Sequence, residues 1–361
     1  MTLNEQDRPT KPTGTYLPSV LSASALVLDP AGDLAMAQET ALSATSVSPL
    51  RDSLRRFGRD KRALVSLVIL GLMILTAFIL PVIYQHIGPA ICEGRCLTSA
   101  DLIGPGVYHT AEHIGSTLES YDQGPSTLHW LGTNGQGQDL LARLLDGIKV
   151  SVEVAVLVVG VLDVGLGIFF GVLAGYFGGL IDLLLARFTD IVFAFPGLLL
   201  AFLVTAIFAL QAQATWGSSG RLILVSITLG ITIWPQMARY VRGQTLQLKS
   251  QQFVEASRTI GSTPFQIITR HIIPNITSLI IVAATLDIAG TVVNEGVLSL
   301  LGLGIQAPAS SLGVMIYEEL NYLPYHPWED LLPAMVLTVI VLALSFVGDG
   351  LRDAFDPRSK D

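Results

Sequence analysis

The sequence predicts an all-α membrane protein of six transmembrane helices. Three observations carry that prediction. Six apolar stretches reach or approach the roughly 20 residues a helix needs to cross a bilayer. Only 14% of the 361 residues are Asp, Glu, Lys or Arg, against about 25% in a soluble domain. The basic residues also fall mostly on one side of the predicted chain path. A mean hydropathy of +0.58 agrees with lipid as the surrounding solvent.

Composition also excludes classes. A net charge of −8 gives no basic footprint for nucleic acid. Two cysteines rule out a disulfide-built scaffold.

Residues 1–49 are rich in Ser, Thr, Ala and Pro and lack a basic segment followed by an apolar core. They read as a disordered cytoplasmic tail, not a signal peptide. Over 50–62, Leu50, Leu54 and Phe57 recur at i, i+4 and i+7 among arginines. This predicts a short interfacial helix with an apolar edge in the membrane surface.

The first span is predicted over 63–83, within a segment bounded at 63–84, and an extracytoplasmic loop follows over 85–149. A five-helix core over 150–350 carries the remaining spans, at 150–175, 191–210, 222–237, 276–298 and 331–347. Pro235 is expected to bend the end of the fourth. Residues 351–361 form the C-terminus. With the N-terminus inside, 17 of the 21 Lys and Arg lie on the inner side and Arg95, Arg143, Lys149 and Arg221 on the outer. Both termini are therefore expected in the cytoplasm.

In the second span, Gly167, Gly171 and Gly175 make two successive small-xxx-small steps, a face that admits a neighbouring helix closely. In the outer loop, Cys92-x3-Cys96-x12-His109-x3-His113 has the spacing of a Cys2His2 zinc site. The loop faces an oxidising compartment, and Gly104-Pro105-Gly106 interrupts the segment where a finger helix would form. A Cys92–Cys96 disulfide is the favoured expectation, with metal or free thiols as the alternatives.

The sharpest signal is the cytoplasmic loop over 238–275. A helix is predicted over 252–260, broken at Gly261 in a left-handed cap. Thr263 is placed as N-cap, with Pro264 at the first helical position and Gln266 completing a capping box. Pro274 is expected to end the second helix. The product is a helix–glycine–helix elbow. Ionisable residues inside spans are functional candidates by default; here these are Asp163, Asp287 and Glu295, as places that line a solute route or pair with a neighbouring polar group within the bundle.

Glu255-Ala256-Ser257, Gly261 and Pro274-Asn275 resemble the EAA loop of ABC importer permeases, with Ser257 where Ala is usual. Further matches follow in order. They include Leu131-Gly132-Thr133 through Asp139 and Arg143, Gly178-Gly179 through Ala194-Phe195-Pro196, Leu298 through Gly304, and Gly348-Asp349-Gly350 through Asp356-Pro357-Arg358. Over about residues 51–358 the chain resembles a C-type subunit of the dipeptide/oligopeptide (DppC/OppC) permease family. One departure is Asn134-Gly135-Gln136-Gly137-Gln138-Asp139, where the family usually has Asp-x-x-Gly-Arg-Asp; an acid and a base are lost.

The resemblance implies the type I ABC importer permease fold in a bacterial plasma (inner) membrane. It also implies a second permease subunit of similar fold, two cytosolic ATPase subunits and an extracytoplasmic binding protein. Glu255, Ala256, Ser257, Gly261, Pro274 and Asn275 would couple this chain to an ATPase. The chain itself is expected to hold no cofactor and to be no enzyme, ATP and Mg belonging to the partners. Its nearest approach to a phosphate loop, Gly243 to Ser250, has Leu248 where glycine must precede Lys249, so it would not cradle phosphates. Nickel, glutathione or another small solute are alternative substrates. A stand-alone secondary transporter or channel is the rival of a different class; it would need neither the elbow nor partners. A membrane-embedded hydrolase is a more distant one, since no paired acids or His-x-x-x-His fall within a span.

Overall fold

The computed structural model describes residues 49–87, 91–93, 95–97, 122, 124–126, 130–135, 137–305 and 310–355. The expected tail lies outside these residues apart from Pro49, as do residues 356–361. Six described stretches are long and apolar enough to cross a membrane: Lys61–Pro81, Leu140–Phe177, Gly197–Trp216, Gly220–Lys249, Pro264–Leu300 and Pro327–Phe355. The six-helix expectation holds, and the boundaries differ for reasons the backbone explains.

Helix α1 (Pro49–Phe57) precedes α2 (Lys61–Ile87). Asp60 opens α2, its Oδ1 accepting from the Arg62 amide at 2.9 Å, so α1 stops short of the expected residue 62. Phe57 is buried against Ala63, Val347 and Ala354, whereas Leu54 is 62% exposed. The apolar edge of α1 is thus divided between protein and surroundings. In the outer segment, β1 (Ile91–Glu93) and β2 (Arg95–Leu97) form an antiparallel ribbon with Cys92 opposite Cys96. The side chains of Cys92 and Cys96 are not described, and His109 and His113 lie outside the described residues.

The second span starts ten residues earlier than expected, inside the segment read as loop. It comprises α3 (Leu140–Leu157), a π-helical turn (Val158–Asp163) and α4 (Val164–Phe177). Asp139 caps α3 by accepting from the Ala142 amide at 2.9 Å. Leu140, Leu144 and Ile148 are buried in the core with Val292, Leu312 and Ile340, and that burial extends the helix. The third span starts later than 191. Helix α5 (Gly179–Ala194) ends at Phe195, which is extended, and α6 (Gly197–Trp216) begins after Pro196. Proline holds its predecessor out of the helical region, which sets this break.

Prolines do not stop the fourth and fifth spans. Helix α7 (Gly220–Lys249) continues past Pro235, so residues 238–249 of the expected loop are helix. Within lipid, unwinding would strand backbone groups, which costs more than one missing hydrogen bond. The fifth span continues directly from the elbow. It contains α9 (Pro264–Ile267), a π-helical turn (Ile268–Ile272) and α10 (Ile273–Leu300). Pro274 therefore lies within this helix and does not end it. The wider turn just before it accommodates a ring that would otherwise meet the carbonyl four residues back. Helix α8 (Gln252–Thr259) precedes α9, and α11 (Leu312–Glu319) and α12 (Pro327–Phe355) complete the chain. The last span is longer at both ends than the expected 331–347.

The glycine face packs as its spacing predicts. A Cβ on Gly171 would lie 2.6 Å from the Ala238 carbonyl oxygen, and one on Gly175 would lie 2.7 Å from Thr245 Cβ. Helix α4 is therefore seated backbone-close on α7. Phe170, Phe188 and Trp234 pack ring on ring between α4, α5 and α7, at centroid distances of 4.8–6.0 Å. Large apolar side chains such as Leu184, Leu199, Leu203 and Leu342 remain exposed, the surface expected where lipid is the solvent.

Candidate functional site

The elbow is built by local hydrogen bonding. Helix α8 ends with the Ser262 amide donating to the Ser257 carbonyl at 3.1 Å and the Gly261 amide donating to Arg258 at 3.0 Å. These two bonds are a Schellman closure, which needs a left-handed residue; Gly261 supplies it with φ +95°. The Thr263 hydroxyl then accepts from the Gln266 amide, and the Gln266 side chain accepts from the Thr263 amide, so the capping box is complete. Asn275 Nδ2 donates to the His271 carbonyl at 2.6 Å, satisfying a backbone acceptor next to the π-turn.

Ser257, the departure from the usual Ala, has a visible role. Its hydroxyl donates to Ser262 Oγ at 2.9 Å and lies 3.3 Å from His271 Nε2. It ties the end of α8 to the turn leading into the fifth span.

The elbow has two faces. On the inner face, Val254, Ile267 and Ile272 are buried with Val172, Met237, Val241 and Ile276, side chains of α4, α7 and α10. On the outer face, Ile260 is 86% and Phe265 74% exposed. Glu255 and Ala256 are exposed beside them, and Glu255 has no ion-pair partner among the described residues. An apolar tip fixed to three long helices is a lever with an uncovered end. Near its base, Arg242 donates from Nε and Nη2 to the two carboxylate oxygens of Asp182, at 2.5 and 2.8 Å. The hydrogen bond from Arg242 holds Asp182 below the ordinary carboxylate value. Arg239 pairs with Asp190 at 2.8 Å, and these two pairs fasten α5 to α7.

The intramembrane acids separate into two environments. Asp163, fully buried in the π-turn between α3 and α4, neighbours Asp287 of α10. No hydrogen bond of normal geometry reaches either Asp163 oxygen among the described residues. Asp287 lines a cleft of about 200 Å³ with Gln236, Thr291 and Asn294. Glu295, by contrast, is enclosed by hydroxyls. Ser151 donates to it at 3.0 Å and Ser299 at 2.7 Å, and Ser311 donates on to Ser299 at 3.2 Å. This cage joins α3, α10 and the start of α11, whereas Asp287 borders open space.

Sequence reasoning did not single out Gln236 or Asn294. A signal was present: Asp287, Thr291 and Asn294 fall at i, i+4 and i+7 on one face of the fifth span. The segment that lost an acid and a base is held by hydrogen bonds from an amide side chain. Asn134 Nδ2 donates to Glu319 Oε1 at 2.9 Å and to Gln138 Oε1 at 3.2 Å. Burial pushes the Glu319 carboxyl above its usual value, and the Asn134 hydrogen bond partly offsets this.

Comparison with known proteins places this architecture. Residues 167–361 match the family described as binding-protein-dependent transport system inner membrane component. Residues 48–90 match the N-terminal TM domain of oligopeptide transport permease C. The oligopeptide transport system permease protein OppC of Bacillus subtilis (strain 168) is 33% identical over 317 residues, 88% of this chain and 92% of that protein. The dipeptide transport system permease protein DppC of Lactococcus lactis subsp. cremoris (strain MG1363) is 31% identical over 333 residues, 88% of this chain and 92% of that one. Among solved structures, an inward-facing MetNI methionine ABC transporter is similar over 60% of this chain and 97% of its own, with a TM-score of 0.48 and 22% identity. On the two family matches and the full-length relatives, the chain is a binding-protein-dependent transport system inner membrane component, and it belongs to the oligopeptide and dipeptide permease C family.

Proposed function

We propose that this chain forms one half of the translocation pathway of an ATP-driven importer of dipeptides or oligopeptides in a bacterial inner membrane, with both termini cytoplasmic. A second permease of similar fold would complete the pathway, and an extracytoplasmic binding protein would deliver substrate. Two cytosolic ATPase subunits would bind and hydrolyse ATP with Mg. The observation that carries the reading is the elbow: an exposed apolar tip, Ile260 and Phe265, on a base buried among α4, α7 and α10. Seated in a groove of an ATPase subunit, the tip would move with that subunit and take the three helices with it, biasing the bundle between two arrangements. Asp287, with Gln236 and Asn294 along its cleft, would meet the ammonium group of a passing peptide. The peptide names of the relatives support this substrate class, and the inner-side excess of Lys and Arg supports the orientation.

Reconstitution with all partners tests the reading. Peptide uptake into vesicles should require ATP, both ATPase subunits and the binding protein. A cysteine placed at Ser257 should be labelled only from the inside. Uptake by this chain alone, driven by an ion gradient, would overturn the proposal.

A further inference from the structure

Residue 122, the turn before α12 and the first turn of α12 come together around three metal-type ligands. His326 Nε2 lies 3.7 Å from Asp122 Oδ2, and His326 Nδ1 lies 3.9 Å from Glu329 Oε1. One ligand atom from each of the three residues falls within 4.8 Å of the other two. Glu329 is completely buried. Among the described residues, no hydrogen bond of normal geometry reaches either of its oxygens, nor Asp122 Oδ1 or His326 Nδ1. A carboxylate removed from water in this way needs a partner charge, a metal or a proton, and metal titration separates the second from the others. The neighbouring Arg143 pairs with Glu318, and no described Lys or Arg pairs with Glu329; the charged groups facing it are the acids Asp122 and Glu319, with the Gly135 backbone beside them.

We propose that Asp122, Glu329 and one ring nitrogen of His326 hold one divalent transition-metal ion of the zinc class. The donor set decides the class. Imidazole with carboxylates suits zinc and its first-row neighbours, whereas calcium and magnesium favour all-oxygen sites. Donors held at about 2.0–2.2 Å from such an ion would be drawn together from their present spacing. The site would tie residue 122, ahead of the second span, to the start of the sixth, clamping the outer end of the bundle. It uses none of the residues of the Cys92-Cys96-His109-His113 pattern, so the two sources of metal binding can be distinguished.

The full-length chain, purified in detergent and stripped with chelator, is titrated with Co²⁺ and then Zn²⁺. One Co²⁺ per chain should bind with visible ligand-field bands and without near-ultraviolet sulfur-to-cobalt charge transfer, and Zn²⁺ should displace it. Glu329→Gln, Asp122→Asn and His326→Ala should each weaken binding by roughly tenfold or more, at least the loss that outer-shell changes already cause. Zn²⁺ should raise the thermal midpoint of the unaltered chain and of a Cys92→Ser/Cys96→Ser chain, but not that of His326→Ala. A wild-type chain that binds neither ion stoichiometrically overturns the proposal, as does binding that survives Glu329→Gln. Binding that disappears with the cysteine pair and carries sulfur charge transfer also overturns it, since it places the ion at the thiols.

Discussion

Replacing Gly261 by valine separates elbow geometry from global stability. The residue sits at φ +95°, where an L side chain costs about 1–2 kcal/mol. The loop could escape by moving Gly261 to negative φ, but only by losing the Ser262–Ser257 and Gly261–Arg258 hydrogen bonds, worth about 1 kcal/mol each net. Both routes cost a similar amount, which reduces the native cap relative to alternatives by about 5–30-fold. Nothing lies within 4 Å of the position a Cβ would take, so there is no steric cost to the core. The base of the elbow stays fixed, since full burial of Val254 and Ile267 is worth about 1.5–3 kcal/mol apiece. The Gly261→Val chain should therefore reach the membrane at normal abundance with a tip that is aimed wrongly. Binding-protein-stimulated ATP hydrolysis and peptide uptake, measured in vesicles with all partner subunits, should be abolished. Gly261→Asn should retain partial function, because asparagine tolerates the left-handed region, and Glu255→Ala should weaken the same activities less severely than valine at 261. Normal uptake by Gly261→Val at normal abundance would show that the elbow is not the coupling element.

Other perturbations probe the bundle. Gly171→Leu would drive a side chain into the Ala238 carbonyl, 2.6 Å from the Cβ position; it should cost about 1–3 kcal/mol or more and lower the melting temperature and yield of detergent-purified chain. Glu295→Leu should destabilise by about 1–3 kcal/mol for each hydroxyl left without its acceptor, whereas Glu295→Gln keeps an acceptor and should lose much less; equal melting temperatures for the two would refute the hydroxyl cage. Because Arg242 depresses the Asp182 pKa, the pair's stabilisation is present above the ordinary carboxylate value of 3.8 and is lost as pH falls through the lower folded value. Hydrogen exchange in α5 should rise over that acidic window, and Asp182→Asn should remove the dependence.

Local chemistry alone determined the six spans, the elbow and the family. Hydropathy over 20 residues, a Gly at a helix end and a Thr-Pro-x-Gln cap each act within a few residues of chain, so they can be read without neighbours. The glycine face is equally local in its spacing, although its partner, α7, is not. Tertiary structure decided how far the helices run. Pro274 looks like a terminator in sequence, and Pro235 like a bend near the end of a shorter span, yet packing and the cost of stranded backbone keep both prolines within continuous helix. It also divided three similar-looking acids. Glu295 is satisfied by Ser151, 144 positions away, while Asp163 and Asp287 meet across helices and Asp287 borders a cleft. The convergence of Asp122 with His326 and Glu329 has the same origin. Such contacts join residues through three-dimensional packing, and no periodicity in the chain records which distant side chain will supply a hydrogen bond or a charge.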